Sequence, residues 1–295
     1  MDMGIALPQY GTHARPEVIG AFARDAEDAG FDSLWVGDRS LTPVSPSDLY
    51  PGHTPDVPYP PQYKTFLDPL VVLTLAAAST RRARLGTSTL NAPWYPALLL
   101  ARSLTSLDLA SGGRLDPGLG IGWLRDEYTA VNADFDKRGA RLEEILDVLD
   151  AYWTQEEFAH DGPHWTIPRS YVGLRPAAPG GPPVYLGGFS PAAMRRIGRR
   201  AAGWVGTVLP EPAYTALWDT ARRAAEEAGR DPGALRRLIR YNPGPGVGVP
   251  EIADTLLGVR EVGAEGCFVD LQQATREPQE ALDLGIQVLE RVRTR

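Results

Sequence analysis

A single (β/α)8 barrel, the TIM barrel, is the fold class that this sequence predicts, and three observations predict it. Short apolar runs alternate with longer segments of helical period, the units number eight, and all of them fit into 295 residues. Alternating strands and helices require a parallel sheet with right-handed crossovers, and eight such units close naturally into a barrel. An open doubly wound sheet is the main competitor. It runs to fewer strands and carries a glycine-rich phosphate signature after its first strand, where this chain has Leu7-Pro8-Gln9-Tyr10. No interdomain linker, repeat or low-complexity run interrupts residues 1–295, so one domain is expected.

Residues 4–8 make a short buried strand. Pro16, at a first helical position, opens a helix in which Val18, Ile19, Phe22, Ala23 and Ala26 recur at helical spacing until Gly30 closes it. Residues 31–37 form the second strand, which ends at Asp38-Arg39. Residues 41–65 are rich in Pro, Tyr, Ser and Asp and hold no period. A loop this long in a compact domain is functional or disordered, and Tyr50, Tyr59 and Tyr63 favour a lid over a site. A helix at 67–79, a strand at 84–90 and a helix at 96–110 follow, the last stopping at Ser111-Gly112-Gly113. In the fourth strand Gly118, Gly120 and Gly122 share one face, because strand side chains alternate with period two. Such a row predicts bare backbone where something flat or bulky comes close. The helix at 138–153 places Leu142, Ile145, Leu146 and Leu149 on one face and Glu143, Glu144, Asp147 and Asp150 largely on the other. Residues 158–183 hold six prolines and a His-Trp pair and read as a second insertion, a hairpin. Strands at 184–186, 204–209, 238–241 and 266–271 then alternate with helices at 191–202, 212–228, 250–262 and 278–293.

A net charge of −7 argues against a nucleic-acid or anionic-membrane binder. The arginines at 195, 196, 199 and 200 are expected to form a solvated helix face. Cys267, the one cysteine, sits in an apolar run and reads as a small buried side chain. With no leader-like or long apolar span at the N-terminus, a cytoplasmic protein is expected.

In a barrel, function sits at the C-terminal ends of the strands. Those ends supply Tyr10, Asp38-Arg39, Thr87-Ser88-Thr89-Leu90-Asn91, Gly120 to Trp123, Gly187-Gly188-Phe189-Ser190, Asn242 and Asp270. Gly187-Gly188 allows a turn with exposed amides, Ser190 caps the next helix and Pro191 presets its first turn, a pattern that suits either an anion site for a phosphate or an ordinary capped strand-to-helix turn. Asp38 and Glu127 are acid or base candidates. No metal site is expected: His13, His53, His160 and His164 are scattered, and the last two lie in a loop rather than on a helix. No Gly-x-Ser-x-Gly elbow is present.

The series Trp35-Val36-Gly37-Asp38, Asp68-Pro69-Leu70, Leu85-Gly86-Thr87-Ser88-Thr89-Leu90, Leu107-Asp108-Leu109-Ala110-Ser111-Gly112-Gly113-Arg114-Leu115, Gly118 to Trp123 with Glu127, Arg138-Gly139-Ala140-Arg141 and Leu186 to Ser190 closely resembles the bacterial luciferase-like flavin and deazaflavin oxidoreductases. The resemblance spans nearly the whole chain. It implies a barrel that binds FMN or the deazaflavin coenzyme F420 at the strand C-termini. It also implies that Asp38, Thr87, Ser88, Gly120, Gly122 and Trp123 border the ring and ribityl chain, and that Arg138 and Gly187, Gly188, Phe189 and Ser190 hold phosphate. Tyr10, Tyr63 and Trp94 would then bind substrate, with Asp38 and Arg39 handling the proton. Two departures stand out: Arg39 replaces the His that many relatives carry after the strand-two acid, and Asp116-Pro117 interrupts strand four, where a local irregularity is expected. Asp at 38 and the short chain tip the reading towards F420 and hydride transfer with a small organic substrate. The alternatives are an FMN monooxygenase using reduced flavin and oxygen, and a flavin-binding protein without turnover. A homodimer is expected through exposed barrel helices.

Overall fold

The computed structural model describes residues 1–295. Ten parallel segments form one curled sheet: β1 (Asp2–Ala6), β2 (Ser33–Val36), β3 (Arg84–Thr87), β4 (Leu90–Asn91), β5 (Leu115–Asp116), β6 (Gly118–Gly120), then, after the hairpin β7 (Glu157–Asp161) and β8 (Thr166–Tyr171), β9 (Tyr185–Gly187), β10 (Gly203–Thr207), β11 (Arg236–Tyr241) and β12 (Gly266–Val269). Their order is β4-β6-β9-β10-β11-β12-β1-β2-β3-β5. The third and fourth barrel strands are each split in two. β3 stops at the cis peptide Ser88-Thr89 and β4 continues it. Pro117 divides β5 from β6 as expected of a residue with no amide donor, and the two halves pair separately, β3 with β5 and β4 with β6. The ladder between these strands is therefore two short pieces rather than one continuous run.

The helices that pack outside are α1 (Pro16–Ala29), α2 (Pro69–Ser79), α3 (Ala97–Ser111), α4 (Arg125–Ala130), α5 (Arg138–Thr154), α6 (Pro191–Arg200), α7 (Glu211–Glu227), α8 (Val249–Glu261) and α9 (Pro278–Arg293). Local chemistry sets their ends. The Asp68 carboxylate accepts from the amides of Leu70 and Val71 to start α2, and Gly30 and Gly112, at φ 102° and 70°, close α1 and α3 in the left-handed conformation. The short helix α4 has too few turns to show a period and was not legible in the sequence. Residues 41–65 hold no strand or α-helix, as the composition implied, and residues 158–183 do contain the hairpin, which pairs antiparallel.

One apolar cluster of 59 buried residues fills the space between sheet and helices, including Ile5, Leu34, Leu85 and Leu119. Inside the barrel, Trp35 stacks on Phe268 with ring centroids 4.4 Å apart. A cavity of about 170 Å³ opens beside them at the N-terminal end of the strands. Its charges are already matched within the protein, Arg84 to Asp116 and Arg236 to Asp2, which suits a stability face.

Three expectations are corrected. Glu144 is buried, not on the solvated face of α5: its carboxylate accepts from His160 Nε2 (2.9 Å), His164 Nδ1 (2.5 Å) and the amides of His164 and Trp165. The two histidines thus fasten the hairpin to α5. Arg196 is not simply solvated either, since its Nε donates to Glu143 at 2.7 Å and ties α6 to α5. The glycine stripe, lastly, is occupied by the protein itself. A Cβ at Gly118 would lie 2.0 Å from the Thr87 carbonyl oxygen, and one at Gly120 would lie 2.2 Å from Thr89 Oγ1. Those glycines make room for the interrupted third strand, and only Gly122, at φ 64°, faces the looser surroundings of Asn91 and Trp94.

Candidate functional site

The C-terminal ends of the strands gather the polar residues. Gln9 ties the first two strand ends together: its Nε2 donates to the carbonyls of Gly37 and Leu67, and its Oε1 accepts from the Gly37 amide. Asp38, half-buried just beyond β2, accepts from the Asn91 amide at 2.8 Å. Burial pushes its carboxyl up to about 7; Glu127 and Asp68 add to the rise, while the Asn91 amide and Arg39 oppose it. The Arg39 guanidinium stands over the rings of Tyr63 (5.1 Å) and Trp123 (4.8 Å). Arg240 donates to the Ser88 carbonyl and pairs with Asp270, which also accepts from Tyr10 Oη at 3.1 Å.

On the far side of the mouth, β9 runs into the turn Gly187-Gly188-Phe189-Ser190. Gly188 has φ 139°. Ser190 Oγ accepts from the Ala193 amide and caps α6. No protein acceptor takes the amides of Phe189 or Ser190. Trp204 Nε1 donates to the Gly188 carbonyl at 3.0 Å and pins the turn from beneath. Free amides at a helix N-terminus, where the dipole is positive, are the arrangement that takes a phosphate.

Among the residues singled out beforehand, Asp38, Arg39, Ser88, Gly122 and Trp123 lie together at the mouth, and Gly187 to Ser190 form the capped turn. Trp94 is buried beneath Gly122, its Nε1 without a partner. Tyr63 is buried within an aromatic group with Tyr10 and Tyr59. Three placements differ from expectation. Thr87 is fully buried and its Oγ1 bridges to both the carbonyl and the amide of Gly118, so its side chain belongs to the wall. Tyr10 is fully buried, stacked on Phe66 at 5.1 Å and edge-on to Tyr63 of the 41–65 loop, so its ring packs under that loop rather than facing a substrate. Arg138 donates to the Phe135 carbonyl and lies 3.8 Å over the Phe135 ring, leaving Nε without a partner. The residues missed were Arg240 and Trp204. Strand-end position was the only available signal for Arg240, and nothing in an apolar strand marks Trp204 as the residue that would hold a turn on its neighbour.

The fold and this mouth define a parallel α/β barrel whose polar site is assembled at the strand C-termini. A family model described as luciferase-like monooxygenase matches residues 3–243, and the chain belongs to that family, whose members are oxidoreductases or monooxygenases. An uncharacterized protein of Mycobacterium tuberculosis is 34% identical over 188 residues, 63% of this chain and 66% of that protein. An F420-dependent glucose-6-phosphate dehydrogenase of Kineococcus radiotolerans is 29% identical over 234 residues, 76% of this chain and 63% of that protein. The matches thus span about two thirds of these relatives' own length. In fold, a monooxygenase of Streptomyces bottropensis superposes with a TM-score of 0.82 at 20% identity, covering 100% of this chain and 99% of that one. No helix is long and apolar enough to cross a membrane.

Proposed function

We propose that this chain is an oxidoreductase that binds coenzyme F420 at the barrel mouth and transfers hydride to or from a small organic substrate. The observation that carries the proposal is the pair of unpartnered amides in the glycine turn at the start of α6, set in the same strand-end rim as an acid, Asp38, that keeps its proton to about pH 7. When bound, the deazaflavin supplies or accepts the hydride. The chain's own residues do the rest. Phe189 and Ser190 present amides to the phosphate, Asp38 holds or returns a proton at its carboxyl oxygen, and the 41–65 loop with Tyr63 excludes water. The F420-dependent dehydrogenase among the relatives supports this cofactor. The runner-up is an FMN monooxygenase, and the family's description as luciferase-like monooxygenase supports its monooxygenase part. Titrating the protein with F420 and, separately, FMN, with absorbance read before and after reduction, tests the proposal. Binding of FMN alone selects the runner-up, and binding of neither overturns both.

The state of Asp38 has a sign that can be measured. Its folded pKa of about 7 lies above the ordinary value of about 4, so its contribution to stability is present below about pH 4 and is lost as pH rises through about 7. Asp38→Asn, which never ionises, is expected to gain melting temperature on wild type between about pH 5 and about pH 8. A constant difference across that range would show that Asp38 titrates normally.

We also propose that the protein pairs with a second copy through α2 and α3. α2 carries no charged residue, and Val71 and Leu99 are 58% and 46% exposed on these two helices, beside Leu75 and Leu98. Val71→Asp combined with Leu99→Asp should convert the dimer to monomer in sedimentation; a wild type that sediments as a monomer removes the idea.

A further inference from the structure

The pair Arg39 and Glu127 has two loose ends. Arg39 is 8% exposed and Glu127 1% exposed, yet Arg39 Nη1 and Glu127 Oε2 are both buried without a hydrogen-bond partner. Their nearest approach, Nη1 to Oε1, is 3.6 Å, too long for a hydrogen bond. Oε1 already accepts from the Ser40 amide at 3.0 Å, which fixes the carboxylate. Buried polar atoms are nearly always paired, and those that are not call for an explanation. Here the orphans are one donor and one acceptor, on side chains in contact. The guanidinium carbon stands over the rings of Tyr63 and Trp123, 5.1 and 4.8 Å from their centroids, so the orphaned Nη1 is the part left to receive a ligand, and a planar acceptor group fits the fork it belongs to. The two charges balance each other, so a neutral guest suits the pair better than an anion.

We infer that Arg39 and Glu127 together recognise the substrate of the proposed oxidoreductase, and that this substrate is a small, neutral, planar carbonyl compound with an O–H or N–H donor beside the carbonyl. The carbonyl oxygen accepts from Arg39 and the donor gives to Glu127 Oε2. Tyr63 belongs to the long loop between β2 and α2, so entry displaces that loop and alters the surroundings of Trp123. The inference rests on the proposed activity for the word substrate, but the recognition itself is independent of the cofactor.

Benzamide carries both groups on one plane, methyl benzoate only the acceptor, and benzoate only acceptors with a charge. Calorimetric titration of the protein, with and without F420, should show benzamide binding at least about tenfold more tightly than either of the others. Arg39→Met should lose about tenfold or more for benzamide. Glu127→Gln, whose side-chain amide can donate, should reverse the preference towards benzoate, a change that a merely structural role would not produce. Absorbance titration with F420 on the same variants should match wild type, which separates failure of this recognition from failure of the cofactor assignment. Equal affinity for the three probes, no binding of benzamide in either state, or a preference unmoved by Glu127→Gln overturns the inference.

Discussion

Replacing Gly188 by Asp is expected to weaken binding of the phosphorylated cofactor by about a thousandfold. Two effects add. Gly188 sits at φ 139°, a conformation that L side chains rarely adopt, and a Cβ there would lie 2.6 Å from the Ala193 Cβ. The new carboxylate would stand where the amides of Phe189 and Ser190 present their hydrogens. Like charges about 4 Å apart repel by about 4 kcal/mol at an effective dielectric near 20, which is about three decades in affinity. Ser190→Ala removes only a helix cap, worth about 1 kcal/mol, and should cost less than tenfold. Cofactor titration of wild type and both variants, with melting curves to show that each is folded and riboflavin as a phosphate-free comparison, reads the difference. A folded Gly188→Asp protein that binds the phosphorylated cofactor like wild type would place the anion elsewhere.

The largest stability effect away from the mouth is expected at Glu144. Removing one member of a buried, hydrogen-bonded charged group costs about 3–5 kcal/mol, because the partners left behind lose their acceptor. Glu144→Ala strands His160, His164 and two amides at once, so the hairpin should detach from α5. Glu143, one residue earlier, is a third exposed and pairs with Arg196 and Arg200, and Glu143→Ala should cost no more than about 1 kcal/mol. Urea denaturation of the two variants measures the contrast. Burial acts to raise the Glu144 carboxyl, but hydrogen bonds from His160, His164 and the two amides outweigh it and hold the group below its usual value. Stability from this carboxylate is therefore present above about pH 4.3 and is lost as pH falls through its lower folded value. The acid side of the wild-type stability profile should flatten in Glu144→Ala. Equal losses for the two variants would mean that the histidine contacts contribute nothing.

The alternation of strand and helix, the split at Pro117, the irregular 41–65 loop and the capped turn before α6 were all legible in the residues, because each follows from local rules. Hydrophobic period, a missing amide donor, a lack of period and a serine before a proline act over a few positions. The same local reading failed at Glu144 and at the glycine stripe. A carboxylate in an amphipathic helix is normally solvated, and only the docking of a hairpin that begins 13 residues later buried it among four donors. Glycines that share a strand face leave backbone bare for whatever comes near, and what came near was the third strand of the same barrel.

The candidate site at the mouth divides along the same line. Composition and spacing marked Asp38, the Gly187-Gly188 turn and Ser190 as candidates, since a strand-end acid and a helix start carry their chemistry with them. That burial raises the Asp38 carboxyl, that Arg39 stands over Tyr63 and Trp123 with Glu127 beside it, that Arg240 reaches Ser88 and Asp270, and that Trp204 pins the Gly187–Ser190 turn were decided only by packing. A pKa and an unpaired donor depend on which distant segments exclude water from a group, and no short window of residues contains those segments.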